Sequence, residues 1–453
     1  MGSSSGVSST AVTAALATVA TAGLILVAKK NKKGGSTTQK AYLLAGDIGG
    51  TNTRFALFDA SSKSSRDSLV TKEYQNSNFI TDSSKSFEDE IIQPFLNECK
   101  EILKLTDFGD GIVACLACAG PVQQNRVVMT NIGNQHPSDD SSPKLEVVLD
   151  GAAIEKTVPG IVKCCIVNDF IGQGYGALTL DMKTEVIELI PGSIEKINDL
   201  GPKVVVGAGT GLGECFLTKS SLNPDGGYEC YPSEGGHTEF PPKDDLEVEL
   251  LQYLKSKFAQ KKRVSVERVV SGKGLANIYE FLAQKYPDQV DEIVHAEFLA
   301  AGDLQGKIVG VNAKNGNLCD QAIKVLASAY GCEVGSAALK FIPTGGMYVS
   351  GGLTPKNIHY IQGEDSEFMK AFWDKGRVKG ILNDIPLFAV MEQDLGIRGA
   401  YVCALRVSLP KKQHIYIYTK SLIHCHFYLL TQINHPIFLI VFVEFIHHCT
   451  LGI

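Results

Sequence analysis

The chain has 453 residues, 44% of them apolar and 20% charged, with a net charge of −6. That length holds two or three domains with sizeable cores, and an acidic balance without a dominant basic stripe argues against nucleic acid as a partner. The 12 cysteines are scattered and form no compact disulfide framework, which suits reduced thiols in a cytosolic setting.

Residues 1–10 are rich in Ser and Gly, and residues 11–28 carry no charge. Lys29, Lys30, Lys32 and Lys33 follow at once. An uncharged run of about 18 residues is near the minimum for a membrane span. No positive charge precedes it, as a secretory signal would need, and the first arginine is Arg54, unlike an Arg-rich transit peptide. Positive charge on the downstream flank keeps the rest of the chain in the cytoplasm. Residues 1–40 are therefore expected to be an N-terminal membrane anchor or targeting segment with a linker; a cleaved segment and a soluble tail are the other readings. Met1-Gly2 opens like a myristoylation site, but Gly6 stands where Ser or Thr is required.

Tyr42 to Asp59 reads as strand, tight glycine turn, strand. The turn holds Asp47, Gly49, Gly50, Thr51 and Asn52. Adjacent glycines let successive N–H groups face one concavity, which suits phosphate, and an acid at its edge suits the accompanying magnesium. An ordinary glycine-rich hairpin is the plain alternative. From Ser86 to Leu105, apolar residues at Phe87, Ile91, Phe95, Cys99 and Ile102 predict a helix capped by Ser86, with Pro94 kinking or dividing it. Ile112–Ala119 and Ile161–Val167 are short β-branched runs, hence buried strands. Cys115 and Cys118 form a CxxC inside the first of these, where a buried strand is the expected reading. The second ends on Asn168-Asp169, and polar groups at the carboxyl ends of such strands are placed to meet ligands.

Lys203 to Thr218 repeats the opening pattern, with Gly207, Gly209, Gly211 and Gly213 around Thr210. It leads into a strand, so it is not a dinucleotide fingerprint, and GKGL at 272–275 lacks the Ser or Thr of a P-loop. Helices are predicted over 246–261, 274–286 and 318–340. The apolar strand GGMYVSGGL ends in a third glycine pair, Gly351-Gly352. Two similar hairpins suggest two related domains with a nucleotide clamped between them. After Ser408 the chain becomes rich in histidine and bulky apolar residues. His424, Cys425, His426, His447, His448 and Cys449 lack a regular metal-ligand spacing, and residues 408–453 read as a tail outside the catalytic fold.

In order, the motifs GDIGGTNTR, ACAGPV, VNDF, GAGTGLG, SEGGH, VERVVSG and SGGL resemble the bacterial-type glucokinase family, within the hexokinase/actin-like ATPase superfamily. The resemblance spans roughly residues 41–405. It implies an α/β, two-domain actin-like/hexokinase (ribonuclease H-like) fold with a sugar cleft between the domains. It divides the chain into a small domain of residues 41–178 plus 392–407 and a large one of residues 179–391. The activity implied is transfer of the γ-phosphoryl group of ATP to the 6-hydroxyl of glucose, with Mg2+. Carried over by motif, Asp169 is the general base, and Asn168, Asp169, Glu234, His237 and Glu267 hold the sugar. Asp47, Gly49, Gly50, Thr51, Asn52, Thr210 and Gly211 serve the phosphates, Asp47 meets magnesium through water, and Gly351 and Gly352 lie on the adenosine side. Another hexose kinase on the same fold and a non-catalytic glucose sensor are the rival readings, and a homodimer is left open.

Two features depart from that family. The segment after Thr130-Asn131 runs Ile132, Gly133, Asn134, Gln135, His136, Pro137 where an aromatic residue is usual, which bears on sugar selectivity. The apolar stretch followed by lysines resembles the layout of membrane-anchored plant hexokinases, and by that analogy the location would be the mitochondrial outer membrane.

Overall fold

β-Branched and apolar residues bury both faces of the first strand, β1 (Ala41–Ile48), which marks it as a central strand rather than an edge. The structure, a computed structural model, describes residues 40–79, 86–129, 132, 146–220, 227–258 and 263–408. β1 pairs antiparallel with β2 (Asn52–Asp59), and β2 with β3 (Val70–Gln75). On its other side β1 runs parallel to β4 (Gly111–Cys118), and β4 to β7 (Ile161–Asn168). A small ribbon, β5 (Arg126–Met129) with β6 (Val147–Asp150), stands apart from this five-stranded sheet.

The same plan recurs. In the second, six-stranded sheet, β9 (Lys203–Ala208) pairs antiparallel with β10 (Leu212–Lys219), and β10 with β11 (Tyr228–Ser233). β9 then runs parallel to β12 (Gly346–Ser350), and β12 to β13 (Leu387–Val390), while β8 (Val186–Glu188) closes the far edge. Both predicted hairpins are thus the corresponding turns of two sheets with one strand order.

Among the described residues, the α-helices of seven residues or more are α1 (Gln93–Leu103), α2 (Gly151–Thr157), α3 (Asp169–Ala177), α4 (Asp245–Lys257), α5 (Gly272–Lys285), α6 (Glu292–Ala300), α7 (Gln305–Val311), α8 (Leu318–Phe341), α9 (Glu367–Trp373) and α10 (Leu395–Ser408). The helices expected over 246–261, 274–286 and 318–340 appear as α4, α5 and α8. The one expected over 86–105 is divided. Ser86 caps it, its Oγ accepting from the Asp89 N–H at 3.1 Å. A wider turn over Glu88–Ile92 follows, in which the Gln93 N–H reaches the Glu88 carbonyl. The α-helix proper opens just before Pro94, where a residue lacking an N–H costs nothing. Cys115 and Cys118 lie buried in β4; contact with the Cys165 and Cys403 thiols, then burial, raises Cys115, and burial raises Cys118.

α3 and α10, not among the helices anticipated from apolar spacing, lie in one core with residues of both sheets: Leu43, Ala45, Phe58 and Cys115 from the first, Val205, Cys215, Tyr348 and Phe388 from the second. The two helices cross through glycines. A Cβ on Gly172 would stand 3.3 Å from the Gly396 carbonyl oxygen, one on Gly176 2.7 Å from the Leu395 carbonyl carbon, and one on Gly399 2.6 Å from the Gly172 carbonyl carbon. Among the described residues, no helix is long and apolar enough to cross a membrane. The expected anchor at residues 11–28, the departure at Thr130-Asn131 and residues 133–137, and residues 409–453 of the tail lie outside the described residues.

The crossing has no room for a methyl group. Replacing Gly399 with Ala should destabilise the fold by about 3 kcal/mol, the upper part of the range for overpacking. Urea unfolding measures it; a midpoint equal to that of the parent would show that the backbones can separate without loss.

Candidate active site

The first glycine turn joins β1 to β2. The Gly49 N–H closes it on the Asn52 carbonyl at 2.9 Å. Asn76, fully buried, anchors it from the side: its Nδ2 donates to the Gly49 carbonyl at 2.8 Å and the Gly50 carbonyl at 3.2 Å. The Thr53 hydroxyl in turn donates to Asn76 Oδ1 at 2.8 Å. With the carbonyls held inward, the consecutive N–H groups of Gly50 and Thr51 have no acceptor among the described residues. Neither glycine adopts the left-handed region, so the turn uses their small size and not their conformational freedom.

The second turn repeats the arrangement. The Gly209 N–H bonds the Gly211 carbonyl at 2.8 Å, and the Gly209 carbonyl accepts from Gly272 N–H at 2.8 Å. The consecutive N–H groups of Thr210 and Gly211 again have no acceptor among the described residues. Here too the glycines supply space: a Cβ on Gly211 would stand 2.5 Å from Glu267 Oε2, and one on Gly207 2.6 Å from Ser350 Oγ. Only in the third pair is conformation decisive. Gly351 has φ +84°, and a Cβ there would meet the Ala208 backbone, 2.7 Å from its carbonyl carbon. That contact sets Gly351 beside the entry to the second turn.

Asn168 and Asp169 stand where β7 becomes α3. The N-cap of the helix is Asn168: its Oδ1 accepts from the Phe170 N–H at 2.9 Å, and its Nδ2 donates to the Gly120 carbonyl at 3.1 Å. Asp169 is thereby free to project from the first turn. Two contacts fix its position. The Phe170 ring is seated on β9 and β10, where a Cβ on Gly213 would stand 2.7 Å from Phe170 Cζ, and Gly172 rests against Ala117 of β4. Asp169 is thus referenced to both sheets.

Burial raises the Asp169 carboxyl to about 7, with the charge of Asp47 adding to it, the Phe170 and Asp169 N–H groups opposing, and Glu234 contributing last. Asp47 is raised to about 6 by burial; Arg54 opposes this, and Asp394 and Glu73 add to it. The Asp47 carboxylate lies against α10: a Cβ on Gly396 would be 2.5 Å from its Cγ. It accepts no hydrogen bond from the described residues. Its cross-strand neighbour Arg54 is turned to Glu73, at 3.1 Å, and to Asp394, at 3.7 Å.

The sugar-side candidates come from the second sheet and its helices. Glu234 precedes a short turn, Gly235–His237, and its carboxylate is 3.8 Å from His237 Nε2, both side chains more than half exposed. Glu267 reaches the second glycine turn, accepting the Leu212 N–H at 3.0 Å. His237 and Glu267 line one depression of about 520 Å3 together with Phe258, Arg263, Ser265 and Arg268. The structure therefore brings Asp169 within reach of the charges of Asp47 and Glu234, and Glu267 onto the Thr210-Gly211 turn. Asn76, Arg54, Asp394 and Gly396 support these groups and were not anticipated.

A sequence profile described as Glucokinase matches residues 44–407. The glucokinase of Nostoc sp. (strain PCC 7120) is 35% identical over 378 residues, 81% of this chain and 99% of that protein. The glucokinase of Synechocystis sp. (strain PCC 6803) is 35% identical over 382 residues, 80% and 97% of the two chains. The chain belongs to the glucokinase family. Among solved structures, glucokinase from Balamuthia mandrillaris in complex with glucose superposes with a TM-score of 0.64 at 21% identity, covering 82% of this chain and 95% of that one. Glucokinase from an Antarctic psychrotroph gives 0.57 at 22% identity, covering 80% and 98%. These likenesses establish the actin-like ATPase fold.

The raised carboxyl has a consequence for stability. Between pH 4 and about 7 the folded chain holds a proton on Asp169 that the unfolded chain has released, so stability falls as pH rises through that window. Asp169→Asn carries no charge to desolvate. At pH 8 its melting temperature should exceed the parent's by about 2–4 °C, and the difference should shrink toward pH 4. Circular dichroism melts at both pH values decide it; an equal or lower melting temperature at pH 8 would mean the Asp169 charge is not desolvated.

Proposed function

We propose that this glucokinase-family chain transfers the γ-phosphoryl group of ATP to the 6-hydroxyl of glucose, with Asp169 as general base. The observation that carries this reading is the raised Asp169 carboxyl, held from both sheets in reach of Asp47 and Glu234. A base with a pKa near the working pH is matched to its task. As the bond from the sugar oxygen to phosphorus forms, the 6-hydroxyl proton passes to the Asp169 carboxylate. The bond between the β,γ-bridging oxygen and the γ-phosphorus breaks, and ADP leaves. The N–H pairs of Gly50-Thr51 and Thr210-Gly211 are suited to phosphate oxygens, which demand fixed donors in a site of low dielectric. Asn168, Glu234, His237 and Glu267 are assigned to the sugar hydroxyls, and Gly351-Gly352 to the adenosine side. Sites built from such hydrogen-bonding groups reject analogues that lack a hydroxyl.

The Asp47 carboxylate fits a magnesium site, since it is desolvated and accepts no hydrogen bond from the described residues. Mg2+ is commonly held by one or two carboxylates plus phosphate oxygens and water. Bound there, it would neutralise phosphate charge; relieving the Asp47 charge would also lower Asp169, so the acid limb of turnover falls at or below pH 7. We assign residues 41–178 with 392–407 to one lobe and residues 179–391 to the other. Residues 11–28 are assigned to a membrane anchor that leaves the catalytic region in the cytoplasm, and fusing residues 1–40 to a fluorescent reporter tests this. A homodimer is carried as a further expectation, read by sedimentation.

Assays of the purified protein with ATP against glucose, fructose, mannose and N-acetylglucosamine test the substrate. Glucose should turn over fastest; parity with the others would sink the assignment, and binding without ATP consumption would mark a sensor. Asp169→Ala should lower kcat by about 100-fold or more, the range for a general base. Because the base works as the carboxylate, parent turnover should be full above about pH 7 and decline as pH falls below it. A flat profile from pH 5 to 8 would remove Asp169 from that role.

A further inference from the structure

Beneath the Glu234–His237 turn lies an acid with no part in the chemistry above. Glu214, on β10, is only 3% exposed. In the strand register it stands opposite Ser233, the residue before Glu234. A Cβ on Gly235 would be 2.5 Å from the Glu214 Cδ, so the carboxyl group forms the floor on which this turn rests. Within the turn, Gly235 N–H donates to Ser233 Oγ at 3.1 Å, His237 N–H to the Glu234 carbonyl at 3.0 Å, and the Thr238 hydroxyl to the Gly235 carbonyl at 2.8 Å, while Arg263 and the Val266 N–H hold the His237 and Thr238 carbonyls from outside.

A second acid meets the first. Glu333 of α8 is also 3% exposed, and it lies within hydrogen-bonding reach of Glu214. Neither Glu214 Oε1 nor Glu333 Oε1 receives an N–H or O–H donor from the described residues. Buried polar oxygens left without a donor are costly. Here the missing donor is a proton that one carboxyl gives the other. Lys340 Nζ, 3.8 Å from Glu333 Oε1, favours charge on Glu333, and the Lys375 ammonium also acts on it. Among the described residues, the groups that act on Glu214 are Glu333, the same Lys340 and the neutral Tyr330 hydroxyl, so it is the proton carrier. Burial and the Glu333 charge raise it to about 8.

One turn before Glu333, the same face of α8 supplies Tyr330. Its hydroxyl lies 3.0 Å from the Val206 carbonyl and 3.1 Å from the Ser350 carbonyl, and accepts the Ala208 N–H at 3.2 Å. α8 thus holds the approach to the second glycine turn with Tyr330 and the floor of the Glu234–His237 turn with Glu333.

We propose that Glu214 is a positioning residue for glucose binding, acting on Glu234 and His237 through a proton shared with Glu333. This rests on the assignment of Glu234 and His237 to the sugar. While the proton is present, the pair is a compact, hydrogen-bonded floor under Gly235. When it is lost, two anions face each other in a buried site, the Glu214 side chain must move, and the turn above it shifts. Alkaline pH therefore weakens glucose binding rather than the phosphoryl step.

The test measures KM and kcat for glucose at saturating ATP from pH 7 to 9, with glucose affinity by calorimetry alongside. If only the protonated pair is competent, apparent affinity scales with its population, and with a midpoint near 8 KM should rise about tenfold over that range while kcat changes about twofold at most. Glu214→Gln supplies a permanent N–H donor of the same shape, so its KM should stay flat. Glu333→Gln should do the same and carries the test if Glu214→Gln shows no cooperative melt. Glucose turnover with a pH-flat KM in the parent, or variants that track a rising parent curve, would overturn the role of the pair and leave the sugar site standing. Absence of glucose binding at every pH would overturn both.

Discussion

The close crossing of α3 and α10 is the constraint on which the rest of the site depends. Gly172, Gly176, Gly396 and Gly399 bring the two helix backbones together where side chains would hold them apart. Such an approach trades side-chain packing for backbone contact, and it leaves little freedom in either direction. Its consequence is geometrical. The start of α10 lies on the Asp47 carboxylate, and the start of α3 presents Asp169. Asp47 lies on β1 and Asp169 directly follows β7 of the same sheet, yet their separation is referenced to a helix pair that also packs against the other sheet.

That placement is electrostatically expensive. Two carboxylates with raised pKa values face each other, and Glu234 adds a third negative charge. A sequence selected only for stability would place an amide or an apolar residue there. Support comes from groups that oppose the cost without neutralising it: the Phe170 N–H on Asp169 and the Arg54 guanidinium near Asp47, itself drawn off toward Glu73 and Asp394. The carboxyls are held in place but left chemically hungry for a proton or a cation.

The hairpins and the strand-ending Asn168-Asp169 were legible in the sequence because each combines an apolar or β-branched run with a cluster of small polar residues, and no helix pattern competes with that. The reason for the glycines was not legible. Gly49 and Gly50 were read as points of conformational freedom, yet neither adopts the left-handed region, and in the second hairpin Gly207, Gly211 and Gly213 make room for Ser350, Glu267 and Phe170. Which distant side chain fills a glycine's space is a tertiary fact without a local signature. The same holds for α10, where Gly396 and Gly399 weaken the helical signal that its packing restores. Asn76, in a run of polar residues that reads as loop, locks the first turn only because β3 ends beside it. Glu214 and Glu333 are silent for a related reason: a lone acid in an apolar stretch looks like an exposed position until its partner on another element is known.

The two sheets share a strand order and end their first hairpins in equivalent turns, each with two consecutive N–H groups lacking an acceptor among the described residues, yet the turns are braced differently. Asn76 braces the first, a neutral amide donating to the turn's carbonyls and accepting from the Thr53 hydroxyl of β2. Glu267 braces the second, a carboxylate accepting the Leu212 N–H while also lining the depression beside His237. On the proposed reading one oxygen of Glu267 holds the phosphate turn and the other is available to the sugar. A rigid carboxylate group fixes the distance between those duties, so donor and acceptor are registered by a single side chain. On that reading the duplicated topology supplies two phosphate cradles of the same build, and the bracing acid on one of them makes the pair unequal and gives the sugar a side.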